Sequence, residues 1–230
     1  MFKVIKILYH LKSKIRHKHT MKKNLIAKKH TESIDSKTEF RTKIKAKMQK
    51  RFCIYDKLCA KKIYTHITSY KKPKTYKIKR NNKLFYIQSK AKECNVLLYI
   101  PLSTEVNITH ILAKLKQDKK YQVFVPKLEK TSFNMVKYRF PLVKTHWRLY
   151  EPKTCKIYKN ILIDIAIVPV LGVDKNMKRI GFGKGMYDRF YETLKVRPYS
   201  IFVSRLRHIS SKSLCEWHDI QADMYVSAYK

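Results

Sequence analysis

The sequence is poor in glycine and in acidic residues, and it has no long apolar run. Four of its 230 residues are glycine, and 16 Asp and Glu stand against 53 Lys and Arg, so the formal net charge is +37. No stretch reaches the roughly 18 apolar residues of a membrane-spanning helix, so we expect no membrane span. The five cysteines form no CxxC pair, which argues against a disulfide scaffold and a zinc site and favours a reducing compartment. Hydrophobic residues still make up 44% of the chain, too many for a disordered polycation.

The positive charge has two interpretations. A nucleic-acid-binding protein usually concentrates its basic residues in one patch or arm. Lysine here is scattered through nearly every segment, together with Ile, Tyr and Asn, which favours a general drift in composition over a selected nucleic-acid surface. Either origin predicts a non-specific affinity for polyanions that fades steeply with salt.

The first thirty residues are basic throughout, with ten Lys or Arg and no Asp or Glu. An organelle-targeting segment has this composition. The alternative is a disordered basic extension, or a segment upstream of a true initiator at Met21. We favour this alternative over a targeting segment. We therefore predict a poorly ordered basic extension over residues 1–34 and one domain over residues 35–230. We expect a cytoplasmic monomer, with an organelle as the alternative location.

The rest of the chain alternates helical and strand-like segments. Residues 31–70 are predicted to be helical, with Ser33 or Ser36 as the cap. Apolar residues then recur at a spacing of four, at Phe40, Ile44 and Met48. Strand-like runs lie at 96–100, 121–125, 161–170, 199–203 and 224–228, and helical ones at 106–115 and 187–194. Pro126 is expected to end the second strand. This alternation predicts an α/β fold, a three-layer sandwich with a largely parallel central sheet flanked by helices.

All the glycines fall in one short stretch directly after the most hydrophobic predicted strand. They are Gly172, Gly181, Gly183 and Gly185. Three alternating glycines free the backbone N–H groups to approach a ligand, and a loop of this kind leading into a helix makes an anion site. Arg179 and Lys184 add positive charge, and Asp188 supplies an oxygen ligand suited to Mg²⁺. A tight structural turn is the alternative, but the pattern favours a site for a magnesium–nucleoside triphosphate.

Two neighbouring segments carry a family resemblance. Residues 164–174 (DIAIVPVLGVD) and 179–189 (RIGFGKGMYDR) resemble the signature of the 5-formyltetrahydrofolate cyclo-ligases, also called methenyltetrahydrofolate synthetases. Four shorter segments agree in the same order: 37–41 (KTEFR), 99–109 (YIPLSTEVNIT), 147–152 (WRLYEP) and 218–223 (HDIQAD). The resemblance covers about residues 35–228, which is nearly everything but the basic extension.

The resemblance implies an activity in one-carbon metabolism. Such enzymes use ATP and Mg²⁺ to convert 5-formyltetrahydrofolate, which can be polyglutamylated, into 5,10-methenyltetrahydrofolate, with release of ADP and phosphate. Phosphorylation of the formyl oxygen would give an imino-phosphate intermediate, which the N10 amine attacks to close the ring. Two alternatives stay open: a basic nucleic-acid-binding protein, or a catalytically degenerate homologue on the same scaffold.

The resemblance also assigns roles to residues. ATP-binding residues would be Lys37, Arg41, Arg179, Ile180, Gly181, Phe182, Gly183, Lys184, Gly185, Met186 and Tyr187. Lys184 and Arg179 would be catalytic, stabilising the transferring phosphoryl group. Asp188 and Asp223 would bind Mg²⁺. The folate would be bound by Ile100, Glu105, Trp147, Phe182 and Met186. Lys184 and Met186 depart from the usual family residues, which puts affinity in question more than the reaction.

Overall fold

The computed structural model of the chain describes residues 36–47, 53–80, 83–89, 92–145, 149–153 and 156–229. The predictions for residues 1–34, for Met48 and for Trp147 therefore lie outside the described residues.

Four helices occur in the described ranges: α1 (Lys37–Lys47), α2 (Cys53–Ser69), α3 (Thr109–Gln117) and α4 (Met186–Glu192). Helices α1 and α2 both lie in the segment predicted to be helical over residues 31–70. Ser36 caps α1 as expected, because its Oγ accepts the Glu39 N–H at 3.1 Å. Helix α3 begins later than predicted, because the Asn107 side chain accepts the Thr109 N–H and turns the chain just ahead of the helix. No helix in these ranges is both long and apolar enough to cross a membrane.

Twelve strands are present in the described part of the chain. They are β1 (Thr75–Arg80), β2 (Lys83–Gln88), β3 (Cys94–Leu97), β4 (Tyr121–Leu128), β5 (Phe133–Lys137), β6 (Leu142–Lys144), β7 (Tyr150–Pro152), β8 (Ile165–Pro169), β9 (Gly172–Val173), β10 (Arg179–Ile180), β11 (Tyr199–Val203) and β12 (Met224–Val226). Six of them form the main sheet in the order β12-β11-β8-β3-β4-β5. All neighbours pair in parallel except β4 and β5, so the prediction of a largely parallel sheet is confirmed.

The central strands are buried on both faces, and their side chains alternate between two cores. Ile165 and Ile167 of β8 pack with residues of α2 and α3, such as Ile63 and Leu112. The intervening residues of β8 face the opposite way and pack with α4. Since successive strand residues point to opposite faces, one apolar run supplies both cores. The helices therefore cover both faces of the sheet, which confirms the three-layer sandwich.

Pro126 does not end β4, contrary to the prediction. The parallel pairing of β3 with β4 reaches only Phe124, whose carbonyl oxygen accepts the Leu98 N–H at 2.9 Å. Beyond that point β4 pairs with β5 alone, and Pro126 lies opposite Met135. A proline is tolerated where one side of a strand lacks a partner, because its missing N–H leaves no hydrogen bond unmade.

Asp164 anchors the start of the central strand. Its fully buried carboxylate accepts the Asn95 N–H at 2.7 Å, lies 3.2 Å from the Lys72 ammonium and accepts the hydroxyl of Tyr76. Tyr76 belongs to the hairpin β1–β2, so this one carboxylate joins the hairpin and two sheet strands. The acidic residue that interrupts the apolar run is thus a structural tie.

We expect Asp164→Ala to lower the free energy of unfolding by about 3 kcal/mol, because it leaves the half-buried Lys72 ammonium without its opposite charge and the buried Asn95 N–H without its acceptor. Urea unfolding measures this difference. The matched control is Asp118→Ala, which removes an acceptor for the Lys120 N–H in an exposed turn and should cost less than about 1 kcal/mol. Equal losses for the two variants would contradict the anchoring role.

Candidate active site

The glycine loop lies at the carboxyl edge of the sheet, where parallel strands place ligand sites in open α/β folds. After β8 the chain forms the short hairpin β9–β10, and the loop of residues 181–185 then leads into α4. The loop is therefore held between a sheet edge and a helix start.

The glycines serve different purposes. Gly183 and Gly185 have φ values of 107° and 61°, in the left-handed region that favours glycine. A Cβ at Gly181 would collide with the Arg179 guanidinium, so this glycine makes room for a side chain. A Cβ at Gly172 would lie 2.8 Å from the Phe40 ring, so this glycine lets α1 pack closely. The sequence interpretation, in which the glycines mainly admit a ligand, is thus too simple.

Helix α1 holds the loop from one side. Phe40 and Ile44 bury its apolar stripe. Its polar side then faces the loop: Arg41 donates from Nε to the Gly181 carbonyl oxygen at 3.0 Å, and Lys45 donates to the Phe182 carbonyl oxygen at 3.2 Å. The structure therefore brings Arg41, which was predicted to bind ATP, into contact with the glycine loop.

A polar cavity of about 390 Å³ opens between α1, the glycine loop and residues 217–219. Cations, carboxylates, glycines and an exposed aromatic side chain share its wall. The lining consists of Lys37, Arg41, Arg179, Gly181, Gly183, Gly185, Asp188, Arg189, Glu192, Trp217, His218 and Asp219. Four cations and three carboxylates line it, so the cavity offers positive charge to an anion and oxygen ligands to a cation.

The central feature of this wall is a buried ion pair between Arg179 and Asp188. Arg179 Nη1 lies 3.0 Å from Asp188 Oδ2, and the guanidinium lies over the Tyr187 ring at 5.1 Å. Arg179 Nε and Asp188 Oδ1 are buried and have no hydrogen-bond partner among the described residues. Buried polar atoms are nearly always satisfied, so a donor and an acceptor without partners at a cavity wall indicate a ligand site.

The second carboxylate of this cavity is Asp219, which the sequence analysis did not single out. Asp219 Oδ2 lies 2.5 Å from the Lys37 ammonium and accepts the Glu216 N–H at 2.8 Å. Burial alone would raise the pKa of Asp219, but the hydrogen bonds from Lys37 and Glu216 outweigh it, so this pKa lies below its ordinary value. Asp219 is therefore ionised at neutral pH.

Asp223, predicted to bind Mg²⁺, is not among the residues that line this cavity. Its carboxylate accepts the Ser200 N–H at 2.7 Å and pairs with Arg197 at 3.0 Å. These contacts fix the start of β11. The geometry thus favours Asp219 over Asp223 as the carboxylate that shares the polar cavity with Asp188. The sequence signal that could have identified Asp219 is the His-Asp pair at 218–219.

An apolar cavity of about 330 Å³ lies on the other side of the glycine loop. Its wall is mainly aliphatic and aromatic, with a few polar groups. The lining includes Tyr99, Ile100, Leu102, Glu105, Pro126, Leu128, Phe133, Leu149, Tyr150, Glu151, Pro169, Arg179, Phe182, Lys184, Gly185, Met186 and Tyr187. Arg179 and Gly185 line both cavities, so the two hollows share a wall.

Glu105 is a carboxyl group of the apolar cavity whose pKa is raised into the neutral range. Its Oε2 accepts the Leu102 N–H at 2.9 Å. Burial raises the pKa of Glu105 to about 7, although that hydrogen bond and the charges of Arg179 and Arg205 pull the other way. Titration near neutral pH is typical of functional carboxyl groups. Glu151, a buried acid in the same cavity, accepts the Leu128 N–H at 2.9 Å and was missed by the sequence analysis.

The predicted site residues divide between the two cavities. Ile100, Glu105, Phe182 and Met186, predicted to bind folate, all line the apolar cavity. The polar cavity takes the predicted ATP-binding residues Lys37, Arg41, Arg179, Gly181, Gly183 and Gly185. Five others do not line it: Ile180 is fully buried in β10, and four line the apolar cavity instead, namely Phe182, the exposed Lys184, Met186 and Tyr187.

Comparisons with known proteins agree with this architecture. The chain matches the 5-formyltetrahydrofolate cyclo-ligase family over residues 43–226. It is 25% identical over 143 residues to the mouse 5-formyltetrahydrofolate cyclo-ligase, covering 56% of this chain and 70% of that protein.

Two solved structures share the fold. The Aquifex aeolicus 5,10-methenyltetrahydrofolate synthetase matches with a TM-score of 0.61 and 21% identity, over 84% of this chain and 90% of that one. The 5,10-methenyltetrahydrofolate synthetase of Mycoplasma pneumoniae matches with a TM-score of 0.58 and 19% identity, over 83% and 97%. Since the family match spans most of the sequence and both cavities lie in a fold of this kind, the chain belongs to the 5-formyltetrahydrofolate cyclo-ligase family.

Proposed function

We propose that this protein uses ATP and Mg²⁺ to convert 5-formyltetrahydrofolate into 5,10-methenyltetrahydrofolate. The observation that carries the proposal is the position of Arg179, which lines both the polar and the apolar cavity. A reaction that transfers a phosphoryl group from one ligand to another needs both ligands to meet at one point. The shared wall provides that point.

The polar cavity suits the triphosphate. Lys37, Arg41, Arg179 and Arg189 surround it, and the open backbone at Gly183 leaves room for a phosphate to approach. Arg179 Nε, a buried donor without a partner among the described residues, is available to a phosphate oxygen. An arginine beside the transferring group stabilises the charge that develops there.

The residues present fit Mg²⁺. Asp188 Oδ1 is a buried oxygen with no hydrogen-bond partner among the described residues, and Asp219 lines the same cavity. Nowhere in the described ranges do three His, Cys, Asp or Glu side chains form a metal cluster on their own. Mg²⁺ typically binds through one or two carboxylates, substrate phosphates and water, so two carboxylates beside a phosphate site suffice. When bound there, Mg²⁺ would neutralise charge on the phosphates.

The apolar cavity suits a reduced folate. Phe182, Met186 and Ile100 offer flat or flexible apolar contacts for a ring system. Glu105 supplies a carboxylate that can accept hydrogen bonds from the adjacent N–H donors of a pterin. Lys184 lies on this side of the loop, so we assign the phosphoryl contact first to Arg179 and place Lys184 beside the folate.

The chemistry then follows from the contact between the triphosphate in the polar cavity and the folate in the apolar cavity. The formyl oxygen of the folate attacks the γ-phosphorus, and the bond to ADP breaks. The carbon of the resulting imino-phosphate is electrophilic, and N10 attacks it. Phosphate leaves with the former formyl oxygen, N10 loses its proton, and the ring is closed.

The direct test is the rise in absorbance as methenyltetrahydrofolate forms from 5-formyltetrahydrofolate and MgATP. Product should form only when enzyme, ATP and folate are all present, with one ADP released for each ring closed. Purified, folded protein that leaves 5-formyltetrahydrofolate unchanged would refute the proposal.

The two candidate magnesium carboxylates can be separated by mutation. We expect Asp219→Asn to raise the Mg²⁺ concentration for half-maximal turnover at least about tenfold, because it removes a charged oxygen ligand. Asp223→Asn, which makes the same change outside the cavity, should leave that concentration unaltered. Steady-state rates over a magnesium titration measure both, and the reverse result would return the metal site to Asp223.

Glu105 should make folate binding depend on pH. Its carboxylate forms as pH rises through about 7, so the KM for 5-formyltetrahydrofolate should fall over that range. Glu105→Gln should have a high KM that does not change with pH between 6 and 8, while the KM for ATP stays near that of the wild type. If the wild-type KM for folate did not change between pH 6 and 8, ionisation of Glu105 would not control folate binding.

The same shift predicts an effect on stability with a defined sign. The pKa of Glu105 rises from 4.5 to about 7 on folding, so the unfolded chain releases the proton at lower pH and wild-type stability falls between these values. We expect Glu105→Gln to be more stable than wild type at pH 8, by on the order of 2 kcal/mol, and to gain little at pH 4. Urea unfolding at the two pH values measures the difference.

A further inference from the structure

Trp217 lies at the rim of the polar cavity and is 89% exposed. It is one of only two tryptophans in the chain. Tryptophan is a large apolar side chain that is usually well buried, so an indole held in solvent beside a ligand cavity calls for an explanation. None of the roles derived above uses it.

The backbone beneath Trp217 is firmly held. The Glu216 N–H donates to Asp219 Oδ2 at 2.8 Å, and Lys178 Nζ donates to the Glu216 carbonyl oxygen at 2.6 Å. The ring of His218 lies 5.6 Å from the indole at an interplanar angle of 89°, an edge-to-face contact. The indole is thus presented by a braced turn that also carries one of the cavity's carboxylates.

The cavity combines two kinds of surface. Lys37, Arg41 and Arg179 line it with positive charge, while Trp217 at its rim offers a flat aromatic face. A ligand that satisfies both must join a polyanion to a planar ring, which is the chemistry of a nucleotide. Aromatic side chains bind nucleobases by stacking, which every base permits.

We propose that Trp217 stacks on the nucleobase of the nucleoside triphosphate bound in the polar cavity. The inference rests on the proposed ATP site and adds to it the place of the base, which the phosphate-binding residues do not determine. Stacking reads no hydrogen-bonding pattern, so the contribution of Trp217 should be similar for ATP and GTP.

Kinetics test the contact. We expect Trp217→Ala to raise the KM for ATP about tenfold, in line with the loss of one base–aromatic stack, with kcat nearly unchanged. Trp217→Phe should restore most of the affinity, because it keeps an aromatic face. Phe85→Ala, which removes another exposed aromatic ring but from the hairpin β1–β2, is the matched control and should not alter the KM for ATP. An unchanged KM in Trp217→Ala would overturn the proposal.

Fluorescence separates failure of this inference from failure of the ATP site. Tryptophan emission is followed in wild type and in Trp217→Phe during titration with ATP or with inorganic tripolyphosphate, which has no base. Quenching by ATP alone, lost in Trp217→Phe, supports stacking. If tripolyphosphate competes with ATP but both ligands quench alike, or neither quenches, the base lies elsewhere and the ATP site stands. If neither ligand binds, the ATP site itself is refuted, and this inference with it.

Discussion

The buried ion pair between Arg179 and Asp188 is the contact on which the site depends. The two side chains hold each other in place, and the Arg179 guanidinium also lies over the Tyr187 ring. Gly181 leaves space for the guanidinium, because a Cβ at that position would collide with it. One donor and one acceptor of the pair keep no partner among the described residues. A charge pair fixed in this way is preorganised, since it need not reorient when a charged ligand arrives.

A buried ion pair with unmade hydrogen bonds lowers the free energy of unfolding, but it leaves polar atoms that a ligand can bind. Removing two charges from water is costly, and their mutual attraction repays the cost only when their remaining hydrogen bonds are made. Here Arg179 Nε and Asp188 Oδ1 have no hydrogen-bond partner among the described residues. We infer that a phosphate oxygen and Mg²⁺ would complete the pair, so ligand binding would recover part of the free energy lost on folding.

The fold supplies the frame for this pair. Parallel strands bring their carboxyl ends to one edge, and the glycine loop that follows β8 lies there between α1 and α4. Helix α1 contributes side chains that come from more than 130 residues earlier in the chain, such as Arg41, which donates to the Gly181 carbonyl oxygen. The apolar cavity is built in the same way, from residues of several strands, of α4 and of the segments between them.

The sequence by itself determined the layered α/β fold, the central strands and the glycine loop, because apolar periodicity and glycine clustering are local signals. It did not show that β4 continues through Pro126, since that depends on where the neighbouring strand stops pairing. Nor did it distinguish Asp219 from Asp223: both are acids near the C-terminus, and only the tertiary structure turns one toward Lys37 and the other toward Arg197. The same holds for Lys184 and Arg179, which lie close together in sequence: Arg179 lines both cavities, whereas Lys184 lines the apolar one. Chemical type can be read along the chain, whereas the cavity that a side chain enters is decided by contacts between residues far apart in sequence.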